Sequence, residues 1–378
     1  MPNLSVIQAA LNRAVTDGVF PGAVLAVRCG TRPVFRFHAG HLSTVPPGSP
    51  VSPSTIYDLA SLTKPLATVT ALVLLMQKGR CQLDDYVADH LSECASTCIG
   101  SATIRHLLTH SSGLPGWRGF YEQVRPDGAI SSSAGEREQA KRAMLHLIQS
   151  EAPVYERGTR SLYSDLGFMV LGFIIERISG QSMSEYFLDH IVCPLGKPQV
   201  GFILPGQHRA LPNRLDADMG GIAPTEIDRW RGHLLCGEVH DQNAAALGGE
   251  AGHAGLFGTV DAVLAISGEW LGAYHGRGTI LDRAMVHEFT RRQKLEGSSS
   301  WALGWDTPSV PSSAGCHFAA QSFGHLGYTG TSLWIDPMRE LEVVLLSNRV
   351  HPSSRNEAIR EFRPAIHDLV YQEFIGSI

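Results

Sequence analysis

Strand-forming segments stand at the two ends of this chain and helical ones fill its middle, which restricts the fold more than any other feature of the sequence. Near the N-terminus, residues 23–28 and 34–38 read as strands joined by Cys29-Gly30-Thr31-Arg32-Pro33, a hairpin signal. The next clear strands are distant, at 331–335 and 341–346, separated by a turn at Asp336-Pro337. A sheet must bury one face, and segments this far apart can do so together only if the chain returns on itself. We therefore expect an α+β protein whose antiparallel sheet is assembled from both termini, flanked by helices, with a helical domain inserted between.

Leu4, Ile7, Leu11 and Val15 recur at helical spacing, and Gly18 and Pro21-Gly22 end that helix. Residues 166–178 form a nearly all-apolar helix stopped by Ser179-Gly180, and Ser182-Met183-Ser184-Glu185 is a capping box opening the next. A last helix is expected over 364–374. The apolar runs at 66–76 and 166–175 are too short to span a bilayer and read as buried helices. The segments 129–136 and 196–225 read as surface connections. At 378 residues the chain suits one large domain or two intimately packed ones.

Composition removes several function classes. The net charge is −5, and no basic cluster occurs beyond Arg291-Arg292, so no nucleic-acid partner is expected. No basic start followed by an apolar core opens the sequence, so neither export nor a membrane association is expected. Seven scattered cysteines fit reduced thiols in a cytoplasm. Cys94 and Cys98 lack a second pair at zinc spacing, and His106 and His110 lack a third ligand; no metal is expected.

The chemistry begins at Ser61-Leu62-Thr63-Lys64, at the head of the run from Leu66. One reading is a surface lysine beside a helix-capping serine. The other is a nucleophile with its base: residues three apart on a helix share a face, so Lys64 could reach the serine oxygen. Lysine suits this work if burial pulls its pKa down, and the 64–76 helix is apolar enough for that. Tyr163-Ser164-Asp165 stands just ahead of the 166 helix, where a phenol could carry a proton beside Lys⁺. His325-Leu326-Gly327 precedes a predicted strand, its glycine allowing close approach of backbone and substrate. His240-Asp241 reads as organising a loop, and His253 as a residue that could line a cleft. No Gly-x-Ser-x-Gly occurs, which disfavours an alpha/beta-hydrolase.

In this order, Ser61/Lys64, Tyr163/Asp165 and His325/Gly327 resemble the motifs of the serine beta-lactamase and penicillin-binding-protein superfamily. The resemblance is to its class C beta-lactamase-like group, which includes family VIII carboxylesterases. It extends through 108–114, 237–241, 252–257 and 327–332, and covers roughly residues 5 to 370. It implies a discontinuous sheet domain (1–64 and 250–378) and a mostly helical one (65–249), with the site in the cleft between. It also implies Ser61 as nucleophile, Lys64 and Tyr163 sharing the proton work, and the N–H groups of Ser61 and Tyr328 as oxyanion hole. Asp165, His325 and Gly327 would contact substrate, and no cofactor is implied. Which of Lys64 and Tyr163 is the formal base stays open. Asp165 stands where the family has asparagine, and His325 replaces the second lysine, so a fixed charge for a substrate carboxylate is missing. The expected activity is a carboxylesterase on short-chain, small-molecule esters. A D-alanyl-D-alanine carboxypeptidase or weak beta-lactamase is the alternative, and a non-catalytic binding relative fits least.

Overall fold

The structure is a computed structural model and describes residues 2–205, 221–295 and 299–376. The segments that form β1 (Gly22–Cys29), β2 (Phe35–Gly40), β6 (Phe323–Leu326), β7 (Ser332–Asp336) and β8 (Leu341–Ser347) make one antiparallel sheet, ordered β2-β1-β8-β7-β6. The two ends of the chain meet at its centre, where Leu25 stands opposite Leu345 and Val27 opposite Val343. Both central strands are apolar on both faces because both faces are covered. Leu25, Val27, Val343 and Leu345 pack with the helices Leu4–Thr16 and Ile359–Phe374, whereas Val24, Ala26, Val344 and Leu346 join the main core. Each of these valines and leucines contributes about 1.5–3 kcal/mol by leaving water. The sheet from both termini, with helices on its faces, is thus the α+β architecture expected from the sequence.

Several expectations change in detail. His325-Leu326-Gly327 does precede a strand, β7, but His325 and Leu326 themselves lie within a further one, β6, and Gly327 follows it. That strand is only four residues long and contains Gly324, so no periodicity announces it; β7 supplies its order through the pairing His325↔Leu333. The last helix begins at Ile359, and Pro364 lies inside it. A second sheet, β3 (Tyr57–Asp58), β5 (Leu256–Gly258) and β4 (Val200–Phe202) in the order β3-β5-β4, has strands too short for a sequence signal. Part of the expected 196–225 connection, residues 206–220, lies outside the described residues.

The run after Ser61 also differs from a plain helix. It opens as a 3₁₀ turn over Ala60–Leu62, widens to a π-helix over Lys64–Val69, and becomes α-helical over Thr70–Gln77. As one 18-residue run of mean hydropathy 1.3, it is long and apolar enough by composition to cross a membrane, contrary to the shorter length expected, but 83% of it is buried inside the protein.

Candidate active site

Ser61 is presented by a strained turn. Ala60 has a φ of +47°, a left-handed conformation that L side chains adopt at a cost of about 1–3 kcal/mol. Its N–H donates to Asp58 Oδ1 at 2.8 Å, and Thr63 Oγ1 donates to Ala60 O at 2.6 Å. One turn on, the wholly buried Lys64 commits its ammonium to three acceptors: Ser61 Oγ at 2.9 Å, Asp165 Oδ1 at 2.7 Å and His253 O at 3.1 Å. An ammonium has three donors, so none is spare. The surface-lysine reading is excluded by this burial.

Asp165 opens the helix Asp165–Ser179, where a carboxylate is favoured by the helix dipole, and Ser164 caps it by accepting from Gly167 N–H. Tyr163 immediately precedes the cap, its ring centroid 4.9 Å from Lys64 Nζ, and its hydroxyl is within the electrostatic influence of both Lys64 and Ser61. The ring stacks on Trp301 (centroids 5.6 Å apart) and leans on His110 at 4.7 Å. His110 accepts the Ser164 N–H at 3.1 Å through Nδ1, so it braces the tyrosine segment. His106 Nδ1 is engaged with Thr103, and among the described residues no group of three or more His, Cys, Asp or Glu could hold a metal ion.

The electrostatics correct one expectation. Burial is the largest influence on Lys64 and acts to lower its pKa, but the Asp165 carboxylate and Tyr163 together outweigh it, and the net shift is upward. Tyr163 is raised by its own burial, against the lowering effect of the Lys64 charge. Both upward shifts keep Lys64 an ammonium and Tyr163 a phenol at rest.

On the far side of Ser61, the turn after β6 is clamped to the nucleophile segment. Thr329 Oγ1 donates to Asp58 O at 2.7 Å and Thr331 Oγ1 to Leu59 O at 3.1 Å. Arg363 Nη2 donates to Gly327 O and Thr331 O at 2.6 and 2.8 Å, and Arg349 Nε to Tyr328 O at 2.8 Å. Gly327 is required for this approach: a Cβ there would clash with Thr331 Oγ1 and stand 2.7 Å from Leu59 O. Its close neighbours are thus the Thr331 side chain and the Leu59 carbonyl, both of the protein itself.

His325 is 2% exposed, and its Nδ1 lies 2.7 Å from Leu326 O. A carbonyl only accepts, so Nδ1 carries the proton. Burial, reinforced by the Lys64 charge, pushes its pKa down to about 3.

Two cavities open at Ser61. One of about 460 Å³ has Tyr163, Asp165, Glu226, Asp241, His253 and Tyr328 in its wall; the other, about 320 Å³, has Tyr163, Trp301, His325, Gly327, Tyr328 and Arg349. Every predicted site residue therefore lies at one place, with Lys64 beneath. His253 does line the cleft, and its Nε2 lies 2.8 Å from Asp241 Oδ1; Asp241 also caps the Gln242–Ala246 helix through Ala244 N–H. Glu226, Trp117, Trp301, Arg349 and Arg363 were not anticipated, since none sits in a motif.

A serine with a buried lysine and tyrosine, in a cleft at the edge of a two-termini sheet, defines a serine hydrolase of the beta-lactamase fold. The profile of the Beta-lactamase family matches residues 7–365, and the chain belongs to that family. A putative D-alanyl-D-alanine carboxypeptidase of Escherichia coli K12 is 32% identical over 314 residues, covering 79% of this chain and 70% of that protein. Among solved structures, EstCE1, a hydrolase with promiscuous acyltransferase activity, superposes with a TM-score of 0.73 at 22% identity, covering 97% and 98% of the two chains. Simvastatin synthase from Aspergillus terreus also gives 0.73, at 19% identity over 98% of each.

Proposed function

We propose that the protein is a carboxylesterase for short-chain esters, working through an acyl-Ser61 intermediate. The observation that carries the reading is His325: at the position of the family's second lysine it presents a neutral imidazole whose one proton is already given to Leu326 O. It offers a substrate carboxylate neither charge nor donor, and simple esters need neither.

In this scheme Ser61 Oγ attacks the ester carbonyl while its proton passes to the Lys64–Tyr163 pair. Because both groups are shifted upward, the pair must first shed a proton, and the reactive fraction grows with pH. The N–H groups of Ser61 and Tyr328 receive the developing oxyanion, and the Thr329, Thr331 and Arg363 bonds hold the second donor in register with the first. The proton then goes to the departing alkoxide, and water releases the acyl group.

The name of the Escherichia coli relative favours a second reading, a D-alanyl-D-alanine carboxypeptidase, and Arg349 in the wall of the second cavity supports it with positive charge. Hydrolysis of a short p-nitrophenyl ester, a chromogenic cephalosporin and a D-Ala-D-Ala peptide separates the two. The ester should give the highest kcat/KM; a faster peptide would replace the first reading with the second.

A further inference from the structure

His325 has a feature that the carboxylate argument leaves unused. Its Nδ1–H is spent on Leu326 O, so Nε2 is a bare acceptor, and no described protein group donates to it. The side chain is 98% buried, and it shares the second cavity's wall with Ser61 and Tyr163. The Tyr163 and His325 rings lie 6.0 Å apart, centroid to centroid, and Trp301 packs against both, at 5.6 and 5.7 Å. A buried acceptor without a donor costs about 1–3 kcal/mol unless something in the cavity satisfies it. An ester cannot, because its carbonyl and bridging oxygens only accept. A nucleophile that enters after acylation can.

We propose that His325 Nε2 holds the second hydrogen of the deacylating water, so that this cavity selects nucleophiles carrying two hydrogens, water or a primary amine, over alcohols. The inference rests on the acyl-Ser61 reading and concerns its second half. The water oxygen attacks the acyl carbon, and one of its hydrogens passes as a proton to the Tyr163–Lys64 pair. The carbon–oxygen bond to Ser61 breaks, and the serine oxygen takes that proton. The other hydrogen, oriented by His325, remains on the oxygen of the released acid. An alcohol has one hydrogen only, and must give it to the Tyr163–Lys64 pair, so His325 cannot help it. His325 is accordingly a positioning residue, acting on the nucleophile rather than on the acyl group.

The distinction can be measured with p-nitrophenyl butyrate in water containing graded methanol, scoring butyric acid against methyl butyrate. His325→Leu should slow hydrolysis about tenfold, leave the methanolysis constant within about twofold, and so raise the ester-to-acid ratio about tenfold. Deacylation should then limit turnover, giving a p-nitrophenol burst close to one equivalent. His325→Gln, whose amide oxygen again accepts, should restore most of the wild-type ratio. A merely structural role lowers both constants together and leaves the ratio unchanged, which would overturn the proposal. Wild-type enzyme supplies a check that needs no variant. O-methylhydroxylamine, with two N–H groups, should capture the acyl group at least about tenfold better than N,O-dimethylhydroxylamine, which has one; equal capture of the two, beyond their reactivity difference toward free p-nitrophenyl butyrate, would also overturn it. Complete absence of acyl-Ser61 from any ester would instead remove the esterase reading, and this inference with it.

Discussion

Asp165 Oδ1 lies 2.7 Å from Lys64 Nζ, a carboxylate paired with an ammonium whose side chain has no solvent exposure. The pairing changes what the lysine is. A buried lysine alone tends to lose its proton; beside a carboxylate it keeps it. Lys64 in the serine–lysine pair is therefore protonated at rest.

The first prediction follows from that sign. The reactive form is the one that has lost a proton, so a raised pKa leaves a small reactive fraction at neutral pH. Ester kcat/KM should climb about tenfold per pH unit above pH 7, since each unit below the pKa of a required base costs a decade. Asp165→Asn removes the anion, leaves burial to dominate Lys64, and should move this alkaline limb toward acid. A pH–rate profile for the two enzymes checks it; an unmoved limb would mean that Asp165 does not set the base.

Ser61 should be the residue phosphorylated by an organophosphate, read by mass spectrometry. Ser111 and Ser112 are buried and should stay unmodified. Lys64→Ala and Tyr163→Phe should each lower turnover by at least about a hundredfold, the usual scale for losing a proton-transfer group. Near wild-type rates in either folded variant would contradict the shared-proton scheme.

The central strands and the site motifs were legible because each had its own local pattern. Short, near-continuous apolar runs announce β1 and β8, and the Ser61 and Tyr163 motifs lie at element boundaries where side chains project, with His325 near the end of β6. What stayed hidden was relational. The pKa of Lys64 depends on Asp165, far away in sequence, and the sequence-based expectation of a lowered value counted burial without its partner. Likewise β6 exists through its pairing with β7, and Arg363 reaches the site from a C-terminal helix by bonding two carbonyls, which no motif records.

Gly327→Ala tests the clamp between the turn and the nucleophile segment. The added Cβ cannot coexist with Thr331 Oγ1 and Leu59 O in place, so the turn must move outward and take Tyr328 N–H with it. Loss of one oxyanion donor costs about 10²–10³ in kcat elsewhere, and a drop of that order is expected here, with KM changing much less. Retention of wild-type kcat would show that Tyr328 N–H is not part of the oxyanion hole.

The last prediction concerns substrate choice and pH. If His325 titrated near neutrality, an acquired charge would favour carboxylate-bearing beta-lactams at pH 6 over pH 8. Burial and the Lys64 charge place its pKa at about 3, so imidazole stays neutral across that range. The ratio of cephalosporin to ester kcat/KM should thus be low and the same at both pH values, within about twofold. His325→Lys restores a cation facing the cavity, and the charge-assisted bond it offers a carboxylate, about 1.4 kcal/mol better than a neutral one, should raise the ratio about tenfold. Because a buried lysine holds its proton less firmly, that gain should be larger at pH 6 than at pH 8. A wild-type enzyme whose cephalosporin-to-ester ratio rises severalfold on going from pH 8 to pH 6 would show that His325 becomes charged in the working enzyme, and the case for a neutral ester substrate would lose its main support.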